Sequence, residues 1–159
     1  MFATASVAAE RNISSRQVGT GFDTAVDTAG DGLPVSLTFV EGKGTFGPSN
    51  VVITADFTPA EENDCKGELE ADFDLVYSAA VVTYRDQSQL YGISYSGWVC
   101  VNEATGTYYG EVYGYYVGGT GRFEGATGTF MTPFQGVYLD PAVGFRSYQA
   151  TTTGSIEMP

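Results

Sequence analysis

The chain has 159 residues, 43% of them apolar and 14% aromatic, with 21 glycines and a formal charge of −12 from 19 acidic against 7 basic side chains. That length and apolar content suit one ordinary domain with its own core, and the negative surface repels phosphate backbones and anionic headgroups, which argues against nucleic acid and membrane surfaces as partners. Histidine is absent, which removes Ser-His-Asp and Cys-His catalysis and the usual imidazole zinc sites.

Residues 1–32 read as an N-terminal arm or leader remnant. Val7-Ala8-Ala9 resembles the small-residue end of a signal peptide, although the stretch before it has neither a charged start nor a full apolar core. Asp27-Thr28-Ala29-Gly30-Asp31-Gly32 has the outline of a calcium loop, with Ala29 where the middle acid would stand. A plain Gly/Asp turn is the expectation there, and no metal site is assigned.

From residue 33 to 159 the period is two, the signature of strands. Leu33, Val35, Leu37 and Phe39 share one face, and Val51, Ile53, Ala55 and Phe57 repeat the pattern beyond a Gly/Pro turn. Between Lys66 and Tyr77 the alternation places Ala71, Phe73, Leu75 and Tyr77 on one side and Glu68, Glu70, Asp72 and Asp74 on the other, a solvated row of acids. Further strands are predicted over 79–85, 88–93, 95–101, 107–117, 127–137 and 146–157, with no convincing long helix between them. A sheet of this size closes or splits to protect its edges. Gly110 and Gly114 inside the 107–117 strand permit the coiling of a small barrel. The expected fold is therefore all-β, a closed antiparallel barrel of about eight strands, lipocalin-like in shape.

Cys65 and Cys100 are the two cysteines, without a CxxC pair, and read as one disulfide of a protein secreted or held in the periplasmic or extracellular space. No run approaches the ~18 apolar residues of a membrane helix.

Gly118, Gly119, Gly121, Gly125 and Gly128 punctuate the segment between two strands, and Phe123 is placed to anchor this structural turn on the core. The spacing misses the dinucleotide-binding pattern GxGxxG. Tyr-Tyr-Val-Gly-Gly-Thr-Gly-Arg-Phe-Glu-Gly-Ala-Thr-Gly, residues 115–128, resembles the hairpin signature of the allene oxide cyclase and dirigent-protein barrel superfamily. The resemblance implies a barrel whose interior holds a small hydrophobic molecule, in members that guide phenoxy-radical coupling or cyclise reactive intermediates, without a metal or cofactor. It carries over no catalytic residue.

The 107–117 strand sets Tyr109, Glu111, Tyr113 and Tyr115 on one face and Tyr108, Gly110, Val112, Gly114 and Tyr116 on the other. If the first set faces inward, Glu111 is a desolvated carboxylate suited to acid–base catalysis, with Tyr109, Tyr113 and Tyr115 around the ligand. If it faces outward, Glu111 is a surface acid among surface tyrosines. Arg85, Arg122 and Arg146 each read first as a surface ion-pair partner in this acidic chain, the alternative being an arginine inside the barrel that holds an anionic or carbonyl-bearing ligand through its planar fork, and Arg85 is the one assigned to ligand binding. The expected function is binding of a small hydrophobic molecule, with cyclase or dirigent-type activity left open. The alternative is an extracellular structural protein that self-assembles, and a homo-oligomer is compatible with either.

Overall fold

The computed structural model describes residues 9–28, 30–62, 65 and 70–159, and period-two alternation gives rise to strands over most of them. Eight strands run in chain order: β1 (Ala9–Asp23), β2 (Ser36–Gly44), β3 (Gly47–Pro59), β4 (Glu70–Tyr84), β5 (Gln89–Asn102), β6 (Thr107–Gly119), β7 (Thr127–Asp140) and β8 (Phe145–Met158). Each pairs antiparallel with its neighbours, and β1 pairs with β8 from Ala9↔Met158 to Gly21↔Arg146, so the sheet closes into an eight-stranded barrel. Among the described residues no helix is long and apolar enough to cross a membrane.

Closure by β1 corrects the expected boundary at residue 33, because the barrel begins at Ala9. This strand escapes the hydrophobic pattern because its polarity is inverted. Gln17 and Gly21 face the interior and are buried, while Val18 and Phe22 lie outside and are exposed. A strand need present no apolar inner face when its neighbours fill the barrel. The leader-like reading of residues 1–8 lies outside the described residues, as do Ala29 and positions 66–69 of the acidic stretch.

The same inversion affects β2, where Ser36, Thr38 and Val40 point inward and Phe39 stands exposed on the outer wall. For β3 the expected face holds, with Val51, Ile53, Ala55 and Phe57 directed into the barrel. Residues 71–77 and 79–84 fall within one strand, β4, and Arg85 lies in the turn beyond it. A bulge between Asp56 and Phe57 of β3 and Tyr77 and Leu75 of β4 shifts the alternation, turning Tyr77 outward and Ser78, Ala80 and Val82 inward. Likewise 89–93 and 95–101 are one strand, β5, with a register shift at Ser94/Ser96. Bulges of this kind sharpen coiling in small barrels.

Alternate connections define two ends. At the lower end, Gly118, Gly121, Gly125 and Gly128 all take positive φ, and the loop they shape drives Phe123 into the barrel, where it is fully buried with Leu90, Tyr116, Ala126 and Ile156. Arg122 covers this plug. Its guanidinium lies 4.8 Å from the Tyr84 ring centre and 4.9 Å from that of Phe123, donates to the Phe46 carbonyl at 3.1 Å and pairs with Asp86 at 3.4 Å. At the upper end, Cys65 and Cys100 form a disulfide with Cα atoms 5.8 Å apart, tying the β3–β4 connection to β5.

A two-sided cavity inside the barrel

With its lower end plugged, the barrel encloses a cavity of about 240 Å³ that reaches the upper end beside Leu33 and Pro34. Its walls differ in chemistry. On β3, β4 and β5 the lining is Val51, Ile53, Ala55, Phe57, Phe73, Ala80, Val82, Val99 and Val101, broken only by Ser78 and Ser94 among polar side chains. On β1, β2 and β8 it is Gln17, Asp23, Ser36, Thr38, Arg146, Tyr148 and Thr152. The two walls look at each other across the interior, β1 standing opposite β5 with three strands between them in either direction around the closed sheet.

Buried polar groups cost free energy unless they find partners, and the polar wall is knitted accordingly. Gln17 Nε2 donates to Thr152 Oγ1 at 3.1 Å, and the Thr152 and Thr132 hydroxyls lie 2.9 Å apart. At the mouth Arg146 is 6% exposed. Its Nη1 donates to Asp23 Oδ1 at 2.8 Å and to the Gly144 carbonyl at 2.7 Å, and its Nη2 donates to Ser36 Oγ at 2.5 Å. Arg146 thus stands inside the barrel wall, which corrects its reading as a surface ion-pair residue.

Phenols complete the lining. Tyr108, on β6, donates its hydroxyl proton to the Ser147 carbonyl. Burial raises the pKa of Tyr108, Tyr116, Tyr138 and Tyr148 above the usual phenol value, and the Arg146 charge offsets part of this for Tyr108 and Tyr138. All four therefore stay protonated at neutral pH and present hydrogen-bond donors.

Room for the aromatic rings of β7 comes from the glycines of β6. Gly110 lies opposite Phe134 and Gly114 opposite Phe130. A Cβ on Gly110 would stand 2.6 Å from the Phe134 ring, and one on Gly114 would stand 2.4 Å from the Phe130 ring. The glycines thus face inward with Tyr108, Val112 and Tyr116, which settles the register of β6.

The opposite face of β6 carries the residues singled out from the sequence, and it lies on the outer surface. Glu111 sits between Trp98 of β5 and Pro133 of β7 and accepts a hydrogen bond from the Tyr113 hydroxyl. Tyr109 donates to Glu70 Oε2 at 2.9 Å, and Tyr115 stacks on Tyr95 with ring centres 5.8 Å apart. Arg85 is exposed in the β4–β5 turn. None of Glu111, Tyr109, Tyr113, Tyr115 and Arg85 lines the cavity, so acid–base catalysis by a desolvated Glu111 is corrected. One signal in the sequence pointed to the right face: the four-residue spacing of Gly110 and Gly114 matches that of Phe130 and Phe134 on the next strand, as small and large side chains must alternate to fill a narrow barrel. Asp23, Gln17 and Arg146 carried no such signal.

The calcium-like loop closes on itself. Asp27 accepts the amides of Gly30 at 2.6 Å and Gly32 at 2.9 Å, and Asp31 accepts that of Leu33 at 2.9 Å. These carboxylates hold a turn, as expected for Asp in that role.

Compared with known proteins, the chain matches no family model, no curated protein and no solved structure.

Proposed function

We propose that this is an extracellular or periplasmic protein that binds a small hydrophobic molecule inside its barrel. The observation that carries the reading is the two-sided cavity, an apolar wall on β3–β5 facing a hydrogen-bonded polar wall on β1, β2 and β8. A concave space that combines an aliphatic and aromatic wall with convergent polar groups is the usual character of a small-molecule site, and its volume of about 240 Å³ suits a compact ligand. The apolar wall supplies affinity through burial, and the phenols and Arg146 supply orientation. The disulfide supports an oxidising compartment.

The resemblance of residues 115–128 to the allene oxide cyclase and dirigent barrels supports the same reading, since those barrels hold hydrophobic molecules. A cyclase or dirigent-type reaction here would act by confinement and orientation, with protonated tyrosines and Arg146 as the polar groups in reach and no part for Glu111.

Native mass spectrometry of the freshly isolated protein, followed by displacement of an environment-sensitive apolar dye, tests this. Ala80→Phe fills the cavity from the β4 side and is expected to abolish dye binding, whereas Glu111→Gln on the outer wall leaves it unchanged. Dye binding that survives Ala80→Phe in a folded protein would place the apolar site elsewhere.

A further inference from the structure

Of the 7 basic residues in this acidic chain, two stand side by side in an unfavourable place. Arg16 on β1 and Lys43 on β2 are directly paired across the strands and exposed on the outer wall. Like charges directly opposite on one face of a sheet destabilise it. Neither forms an ion pair with Glu41, the carboxylate two residues along the same face of β2. Among the described residues the ion pairs are Arg122–Asp86 and Arg146–Asp23.

The wall beside this basic doublet is apolar and open. Val18, Phe22, Phe39 and Val52 are all exposed there, with the Phe22 and Phe39 rings stacked at 6.1 Å. Soluble proteins do not usually leave such patches uncovered unless they serve contact.

Further around the outer wall, on β4–β6, lies a surface of complementary character. Asp74 of β4, Trp98 of β5 and Glu111 of β6 form one cross-strand row, so that carboxylates flank the exposed indole on both sides. Tyr95, Tyr113 and Tyr115 extend it along β5 and β6, all exposed. Carboxylates set among aromatic faces suit guanidinium and ammonium groups through ion pairing and cation–π contact together.

We propose that this protein assembles head to tail, the basic apolar face of β1–β3 in one copy docking on the acidic aromatic face of β4–β6 in the next. Charge selects a second copy as the occupant, since each copy carries both complementary faces, while two copies of net charge −12 repel over the rest of their surfaces. The two faces are different, so the contact is heterologous. Their central strands, β2 and β5, are three strands apart around the barrel, so the contact is not self-complementary and each added copy leaves one face of each kind free for the next. Backbone pairing plays no part, since both neighbours of every strand are already taken within the barrel.

Sedimentation velocity of the full chain over a wide concentration range, at low and at high salt, reads the proposal directly. Average mass is expected to rise with concentration and to fall when salt screens the charges. Arg16→Glu with Lys43→Glu in one variant, and Asp74→Lys with Glu111→Lys in a second, each oppose like charges across the contact and are expected to weaken self-association by about tenfold or more. Mixing the two variants restores complementary contacts in both directions and is expected to recover assembly as alternating copies. Circular dichroism and melting curves confirm that both variants are folded before mixing. A wild type that stays monomeric at every concentration, an assembly that stops at two copies, or folded variants that associate like the wild type overturns the proposal, as does a mixture that fails to assemble.

Discussion

Arg146 and Asp23 meet at 2.8 Å across the seam where the last strand of the barrel joins the first. The arginine is almost wholly buried and the aspartate about a third exposed, so the pair sits half in the wall and half in the mouth. Removing one partner strands the other with unmet hydrogen bonds, whereas removing both leaves only a packing defect. Arg146→Met is expected to cost about 3 kcal/mol, the lower end of the range for a broken buried pair because Asp23 keeps some contact with water. Combining it with Asp23→Leu should recover part of the loss. Urea unfolding midpoints of the single and double variants measure the coupling, and strictly additive losses would show that the ion pair contributes nothing.

Glycine positions along the inner wall differ in what crowds them, which orders the cost of adding a methyl group. At Gly114 a Cβ would meet both the Ile93 carbonyl oxygen and the Phe130 ring at 2.4 Å, while at Gly92 the nearest atom is the Phe130 ring edge at 3.1 Å. A ring can tilt, but a paired strand cannot move away. Gly114→Ala should therefore destabilise by about 2 kcal/mol or more and Gly92→Ala by less than about 1 kcal/mol. Adding Phe130→Leu should relieve crowding at position 92 and leave most of the penalty at 114, as thermal unfolding will show.

Closing a loop over a sequence separation of 35 residues, the disulfide restricts the unfolded chain by about 3–4 kcal/mol on the loop-entropy account. Replacing both cysteines by alanine should lower the urea midpoint by a corresponding amount while leaving the cavity residues of β1, β7 and β8 in place. Dye binding that disappears along with the bridge, in a protein still folded, would show that the upper end depends on it.

Alkaline pH should unfold the barrel through its phenols. In the unfolded chain tyrosine ionises near pH ~10, whereas burial holds Tyr108, Tyr116 and Tyr148 protonated to higher pH in the fold. The folded state then keeps protons that the unfolded state has lost. These groups' contribution is fully present below pH ~10 and is lost as pH rises above it, by about 1.4 kcal/mol per pH unit for each such tyrosine. Phenolate absorbance from the buried rings should appear together with loss of structure. Tyr148→Phe, which removes one of these phenols, should shift alkaline unfolding to higher pH.

Much of this fold is legible in the chain, for reasons that are local. Alternation predicts β3, β6, β7 and β8 in place, because those strands combine strand-forming residues with Gly-rich punctuation. The same logic finds the turn of residues 118–128 and the burial of Phe123. Composition and cysteine count anticipate the Cys65–Cys100 bridge. Local pattern fails where polarity is inverted. With Gln17 and Gly21 inside and Val18 and Phe22 outside, β1 reads as an arm, and only its pairing with both β2 and β8 reveals it as the strand that closes the barrel.

For the site, the residue types were readable and their directions were not. A strand states which side chains share a face, but which face is inside depends on what lies across the barrel. Phe130 and Phe134 occupy the space over Gly114 and Gly110, which turns Glu111 and its tyrosine neighbours outward. In the same way Arg146 becomes an interior group because Asp23, Ser36 and the Gly144 carbonyl, distant in sequence or set by a turn, converge on it. The sequence by itself therefore determined an acidic, histidine-free, disulfide-bearing β-barrel. Tertiary structure decided which residues line it and which meet the outside, because closing the sheet fixes the inner face of every strand at once.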